Sequence, residues 1–223
     1  MKWLNVIIKY RPWLGILFLA IAIFVNYKAG FWPSFILYLI GVILLAGHFL
    51  FGPMRLIQEY IENGDLEGAK KIIASIKFPG LLIKPVRSVY YTIKGNLDMA
   101  EQNFDSAETN LKKSQNLMGG GGLLSGQLKQ AEGANKLQLG MLAMQKGNMK
   151  EAESYIRQAI RAGLPDSENN AAAYLQLCSI MMNKREFRAA KQYFAKAKSY
   201  KPTTPQIVDQ IKQVEKYIAR MPG

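Results

Sequence analysis

The chain has 223 residues, 49% of them hydrophobic, and a formal net charge of +13 from 29 basic and 16 acidic side chains. A single cysteine, Cys178, and a single histidine, His48, exclude an intrachain disulfide and a cysteine-cluster or multi-histidine metal site. The basic excess points toward an anionic surface, either lipid or nucleic acid, and its distribution along the chain decides between them.

In chain order, the first feature is a change of composition near residue 58. No acidic residue precedes Glu59, and two apolar runs fill most of that stretch. The first, Trp13 to Val25, spans about 20 Å as a helix, so it crosses a bilayer only if Pro12, Asn26 and Tyr27 reach into the interface or the bilayer thins. The second, Phe31 to Phe51, has only Ser34 and His48 as polar members and spans about 31 Å, the thickness of a bilayer core. Trp13 and Tyr27 bracket one run, and Phe31, Trp32 and Phe51 the other, as interfacial aromatic belts do. Only Asn26-Tyr27-Lys28-Ala29-Gly30 lies between them. An antiparallel transmembrane hairpin, about 12–27 and 31–51, is therefore predicted within an anchor of residues 1–52.

Lys2, Lys9, Arg11 and Arg55 flank one side of this hairpin, while the connecting loop holds Lys28 alone. The positive-inside rule then puts both ends, and everything after residue 52, on the cytoplasmic side of a bacterial-type cell membrane. Two other readings compete. A signal peptide would use Ala20-Ile21-Ala22 as its cleavage site, but only a handful of apolar residues precede it. A hairpin dipping into one leaflet is compatible with the short first run. His48 reads as an interfacial histidine donating to a headgroup or a backbone carbonyl, with a proton-handling or intersubunit role as the alternative. After Phe51-Gly52-Pro53 a new helix begins at once, from Met54 to Asn63, so no flexible linker separates anchor from domain.

Beyond the anchor, a helix-turn-helix pattern recurs near Ala69, Ala107, Ala152 and Ala190. Each copy has a turn bearing Gly, Asn or Asp, then the alanine, then a large apolar residue four positions on. The turns at Gly64, Gln102, Gly147 and Arg185 lie about 38, 45 and 38 residues apart, and the additions over an ideal of about 34 fall in loops rich in Gly and Pro. Those loops are Phe78-Pro79-Gly80, Gly119 to Gly122, and Gly163 to Ser167. A last segment, Thr204 to Met221, spaces Ile207, Ile211, Val214 and Ile218 as one helical face.

The clearest copy has Tyr174, Leu177, Cys178 and Met181 on one helix and Phe187, Ala190, Phe194, Ala197 and Pro202 on the next. It resembles the tetratricopeptide pattern W-x2-L-G-x2-Y…A-x3-F…P, with Tyr for Trp, Cys for Gly and Met for Tyr. The preceding copy keeps Leu139, Gly140, Gly147, Ala152, Ile156 and Ala159, and earlier copies keep Gly95, Phe104, Ala107 and Leu111, then Leu56, Tyr60, Gly64, Ala69 and Ile73. The resemblance implies an all-α chain: the membrane hairpin, then a right-handed α-solenoid over residues 53–223. Its repeats are expected at about 53–80, 85–118, 125–164 and 169–202, closed by a capping helix at 204–221.

The resemblance further implies that the first helix of each repeat lines a concave groove, at fixed offsets from the Leu-Gly pair. Those offsets select Gln58, Ile61 and Glu62, then Val89, Thr92, Asn96 and Met99, then Leu137, Met141, Met144 and Gln145, then Leu175, Ser179, Met182 and Asn183. Met99, Met144 and Met182 recur at one equivalent offset, a polarisable stripe suited to an apolar helix or peptide from a protein partner, or to packing between repeats. Chaperone-tail receptors of the family carry Lys, Asn and Arg at such offsets. Here Asn96 alone matches, and Thr92, Leu137 and Leu175 stand where the others would be.

Residues 1–58 hold five basic and no acidic side chains, and Lys70, Lys71, Lys77, Lys84 and Arg87 follow closely, so membrane lipid is the expected anionic surface. Later cations are interleaved with Glu151, Glu153 and Glu186, as on an ordinary solvated helix face, and no nucleic acid is expected. Gly121 and Gly126 have P-loop spacing but are followed by Gln127 and Leu128, where phosphate binding needs Lys and Ser or Thr. No cofactor, metal or catalytic residue is expected, and Cys178 reads as a small buried thiol. The predicted function is a noncatalytic membrane-anchored scaffold. The rival is a structural subunit that packs, or self-associates, through Gly15, Ala20 and Ala22 on one membrane helix and Ser34, Gly41 and Gly47 on the other.

Overall fold

In the computed structural model residues 2–51, 54–118 and 125–219 are described, and all regular structure among them is helical. The Gly52-Pro53 junction, the Gly119 to Gly122 loop and Met221 lie outside the described residues. The chain divides into two compact units, Met1–Leu97 and Asp98–Gly223.

The first unit opens with α1 (Lys2–Ala29) and α2 (Phe31–Phe51). The second helix falls where it is predicted. The first is longer at both ends than the predicted 12–27, with Pro12 in its interior. The expected five-residue loop shrinks to one residue: the Gly30 amide still donates to the Asn26 carbonyl at 3.0 Å, and its φ of +85° turns the chain where a side chain would be strained. Tyr10–Ala29 and Phe31–Leu50 are each 20 residues and long and apolar enough to cross a membrane. At 1.5 Å per residue, that is about 30 Å each, so the first run needs no thinned bilayer.

The two helices touch through their small residues. Gly15, Ala22, Ser34, Gly41 and Gly47 are buried. A Cβ added at Gly15 would lie 2.8 Å from Leu45 Cγ and 3.2 Å from the Gly41 carbonyl oxygen, and one at Gly41 would lie 3.1 Å from the Gly15 carbonyl oxygen. Ala20 is exposed and takes no part, against expectation, because it lies off the Gly15–Ala22 face. The Ser34 hydroxyl donates to the carbonyls of Phe31 at 2.8 Å and Gly30 at 3.2 Å, so its polarity is satisfied within its own helix.

The unit continues with α3 (Met54–Glu62), α4 (Leu66–Ser75), a 3-10 turn (Pro79–Leu81) and the greater part of α5 (Lys84–Ala100). Ile57, Ala69, Ile73, Leu82, Tyr90 and Leu97 form its core.

The second unit holds the end of α5, then α6 (Phe104–Met118), α7 (Ser125–Gln145), α8 (Met149–Ala162), α9 (Ser167–Asn183), α10 (Phe187–Ser199) and α11 (Pro205–Ile218). Helices α7 with α8, and α9 with α10, pack as hairpins, and α7 also touches α9. Ile156, Leu177, Ile180, Met181 and Phe194 anchor the shared core, onto which α11 lays Ile207, Ile211, Val214 and Ile218. The start of α9 is tied to the α10–α11 connection by Glu168, whose Oε1 accepts from the Thr203 amide at 2.6 Å and its hydroxyl at 3.0 Å.

One turn is built four times. Gly64, Gln102, Gly147 and Arg185 all have positive φ, at +73°, +61°, +80° and +61°. Each donates its amide three residues back, to Ile61, Met99, Met144 and Met182, and the next residue donates five back, to Tyr60, Asp98, Ala143 and Met181. This is the Schellman ending, which satisfies two otherwise orphaned carbonyls. The following helix is then set by Asp65, Asn103, Asn148 and Glu186, whose carbonyls accept the amides of Ala69, Ala107, Ala152 and Ala190 at 3.0–3.1 Å. All four alanines are fully buried beneath the turn, in close-packed surroundings.

Candidate partner-binding surface

The predicted groove residues are placed unevenly. In the second unit, Met141 and Met144 on α7 and Met182 on α9 are half-buried, leaning on the same core, with Ser179 half-buried and Gln145 and Asn183 exposed. Met99 is half-buried against the core of Ala107, Leu111, Leu139 and Leu142. Leu137 and Leu175, expected at the groove, are core residues at 3% exposure each. Leu137 precedes Gly140 by one turn and Leu175 precedes Cys178 by one turn, so both share the face of tight helix contact. In the first unit, Asn96 is half-buried with its Oδ1 enclosed and unbonded among the described residues, while Thr92 is half-buried and Val89 and Ile61 are exposed. The side chains of Gln58 and Glu62 lie outside the described residues.

Close helix contact in the second unit is made by glycine. A Cβ at Gly140 would lie 2.5 Å from Ile156 Cγ1 and 3.2 Å from the Ala152 carbonyl oxygen, so α7 and α8 meet backbone to backbone. Cys178 holds the corresponding place on α9. It is fully buried, and burial pushes its thiol up to about 11, which leaves it an inert thiol near neutral pH.

Electrostatics repeat in register with the turns. The lysine before each of the last two turn residues reaches a glutamate that directly follows a turn alanine: Lys146 to Glu108 at 2.7 Å, and Lys184 to Glu153. Each glutamate also pairs four residues on, with Lys112 at 2.5 Å and Arg157 at 2.8 Å. Hydrogen bonds from Lys112 and then Lys146 hold the Glu108 carboxyl below the usual range, and those from Lys184 and then Arg157 do so for Glu153. Asp105, at 2.8 Å, and then Glu108 raise the Lys146 ammonium.

A further surface escaped the groove offsets. Arg157, Ile160, Arg161, Tyr174, Tyr193 and Lys196 line an open cleft of about 510 Å³ on α8, α9 and α10. Tyr174 stacks on Tyr193 at 6.2 Å and on Tyr200 at 5.8 Å, with Lys196 Nζ 5.4 Å over Tyr174 and the Arg157 guanidinium 5.6 Å over Tyr193. The signal was available: Tyr193, Lys196 and Tyr200 fall at i, i+3 and i+7, one face of α10 and its C-cap.

Of the predicted membrane-surface cations, Lys70 and Lys71 are exposed on α4. Arg11 is half-buried, with its guanidinium over Gly47, where an added Cβ would meet Nη2 at 2.6 Å. It therefore packs into the hairpin as well as charging its end. The side chains of Lys2, Lys9 and Arg55 lie outside the described residues. Among the described residues no three metal-ligating side chains come together.

None of the curated proteins matches the chain. Among solved structures it is similar to BtubC (BKLC) from P. vanneervenii, with a TM-score of 0.53 at 12% identity over 94% of this chain and 83% of that one. At that identity the likeness is one of fold. Residues 135–162, which run from Asn135 in α7 to the end of α8, match the tetratricopeptide-repeat family model. That match lies on the Gly140 contact and the Gly147 turn, so α7 and α8 carry a tetratricopeptide repeat.

Proposed function

We propose that this chain is a membrane-anchored scaffold: α1 and α2 span a bacterial-type cytoplasmic membrane, and repeats at about 53–80, 85–118, 125–164 and 169–202, with a cap at 204–221, bind a protein partner on the cytoplasmic side. Tetratricopeptide repeats generally serve protein interaction, and the fourfold turn carries the reading. In the second unit α7 and α9, the first helices of successive repeats, touch, and Met141, Met144, Gln145, Ser179, Met182 and Asn183 along them are within reach of a ligand. Half-buried methionines can re-pack around an apolar helix or peptide. Leu137 and Leu175 support that surface from beneath.

The anchor reading is supported by apolar surface with nothing to cover it. Only 11% and 17% of the apolar windows of α1 and α2 are buried, whereas a core helix of a soluble protein would be mostly enclosed. The rival reading, a subunit that packs or self-associates through its membrane helices, loses its best contact face, since Gly15, Ala22, Ser34, Gly41 and Gly47 are engaged within the hairpin itself.

Photocrosslinkers placed at Met141 and Met182 of the full chain in its native membrane test the groove, with Gln192 on α10 as the outside control. Capture of one and the same protein from both groove positions supports the scaffold. Capture from Gln192 with none from Met141 or Met182 refutes the groove. Deleting residues 1–52 then separates the two classes: partner binding kept by the repeats counts against the subunit, and binding lost counts against the scaffold.

A further inference from the structure

We infer that the turn between α4 and α5, from Lys77 to Lys84, is a second membrane contact that lies in the lipid headgroup layer beside the end of α2. The inference rests on the membrane reading of α1 and α2. The turn carries Phe78 at 65% exposure and Leu81 at 53%, two large apolar side chains offered to solvent within four residues, while Leu82 between them and α5 is buried in the core. A soluble loop would place polar residues there. The backbone is fixed: the Leu81 amide donates to the Phe78 carbonyl at 3.1 Å and the Leu82 amide to the Pro79 carbonyl at 3.2 Å, closing the 3-10 turn. Phe78 and Leu81 are therefore held outward by local structure.

What they face follows from one hydrogen bond. The Ile83 amide donates to the Leu50 carbonyl at 3.1 Å, taking up one of the carbonyls left without a partner at the end of α2. This pins the turn to the last residues of a membrane helix. Phe49 and Leu50 are exposed there, at 47% and 40%, and Phe78 shares with His48 and Phe49 a cleft of about 200 Å³ walled also by Ile76, Lys77 and Leu82. The exposed Phe49 at the end of α2 and Phe78 thus border one cleft. Lys77 and Lys84 flank the turn and are exposed, as side chains are that lay their stems along acyl chains and send their ammonium groups to anionic headgroups. Apolar wedge and flanking cations together match a lipid surface.

The test uses the full chain in vesicles of phosphatidylcholine and phosphatidylglycerol doped with lipids brominated at shallow acyl carbons, which reach position 78, and at deep acyl carbons, which reach position 39. A bimane fluorophore is attached at Phe78→Cys, at Leu39→Cys on the exposed face of α2, and at Gln192→Cys on α10. The native Cys178 is fully buried and does not compete for label. Quenching of about twofold or more is expected at positions 78 and 39, and none at 192. Quenching at 39 without quenching at 78 overturns this inference and leaves the membrane helices standing. No quenching at 39 overturns both. Should Phe78→Cys lose its helical circular dichroism, Leu81→Cys reads the same wedge, and an unquenched label there is equally fatal. Because the vesicles hold no other protein, quenching at 78 identifies lipid and not a partner chain.

Discussion

Replacing Gly140 with alanine tests whether α7 and α8 meet as closely as the fold requires. In an open helix, Gly→Ala stabilises by about 1 kcal/mol through propensity alone. At Gly140 the new methyl would stand 2.5 Å from Ile156 Cγ1, 3.2 Å from the Ala152 carbonyl oxygen and 3.3 Å from the Ile156 amide nitrogen. Carbon pairs are comfortable at about 3.5–4.0 Å, so Ile156 must withdraw by about 1 Å. Ile156 is fully buried, and the two backbone atoms cannot withdraw unless α8 moves with them. Overpacking of this kind costs about 1–3 kcal/mol, and a contact that includes backbone lies in the upper half of that range. Net of propensity, Gly140→Ala should destabilise by about 1–2 kcal/mol, or about 4–8 °C in the melting of a unit this size. Thermal melts of the full chain in detergent, followed by circular dichroism, read the shift. A Gly140→Ala variant that melts at or above the native temperature would refute the backbone-to-backbone contact.

The turn predicts opposite signs at two of its copies. Arg185→Gly relieves a left-handed conformation that costs a residue with a side chain about 1–2 kcal/mol and should raise the urea midpoint modestly, whereas Gly147→Ala should lower it by a similar amount. Asp98 Oδ2 accepts from Ser106 Oγ and Asn110 Nδ2, each at 2.7 Å, and Asn110 is buried, so Asp98→Ala should cost about 1–3 kcal/mol in denaturant unfolding. Glu108 and Glu153 titrate below the ordinary glutamate value in the folded chain, so their contribution is complete above that value and is lost as pH falls through the folded one. The urea midpoint should therefore drop between about pH 5 and pH 3, and Glu153→Gln should shrink the drop; an unchanged pH profile would count against the ion pairs.

The repeat register was legible because the turn needs particular residues at fixed places. A left-handed residue, a capping residue after it and an alanine beneath leave a written trace, and Gly64, Gly147, Asp65, Asn148 and the four alanines supply it. Gln102 and Arg185 are weaker marks, since their side chains do not announce positive φ, and only spacing located them. The second apolar helix was equally plain, being a long run with sharp ends. The first was underestimated because Pro12 reads as a helix start by local preference, although a helix can carry a proline in its interior. The proposed groove was the least legible feature. Its offsets come from the family pattern, and whether a side chain at such an offset faces solvent or core depends on how the neighbouring helices cross, which has no local signature. Leu137 and Leu175 fell on the wrong side of that line for this reason.

The recurrence also reaches past the apolar pattern from which it was read. Lys146 and Lys184 occupy the same position before their turns, and Glu108 and Glu153 the same position after theirs, so each pair ties one second helix to the turn of the next repeat. Such pairs contribute little singly where they are exposed. Their value lies in alignment: Glu153 has 17% of its side chain exposed and is fixed by Arg157 on its own helix, so Lys184 can meet it only if adjacent repeats stack in one relation. A repeat array is specified by its nearest-neighbour interfaces as much as by its units. A charge that recurs in step with the turn is what a sequence looks like when both have been specified, and swapping the pair, Glu153→Lys with Lys184→Glu, should restore part of the stability that either change alone removes, the Arg157 pair staying lost.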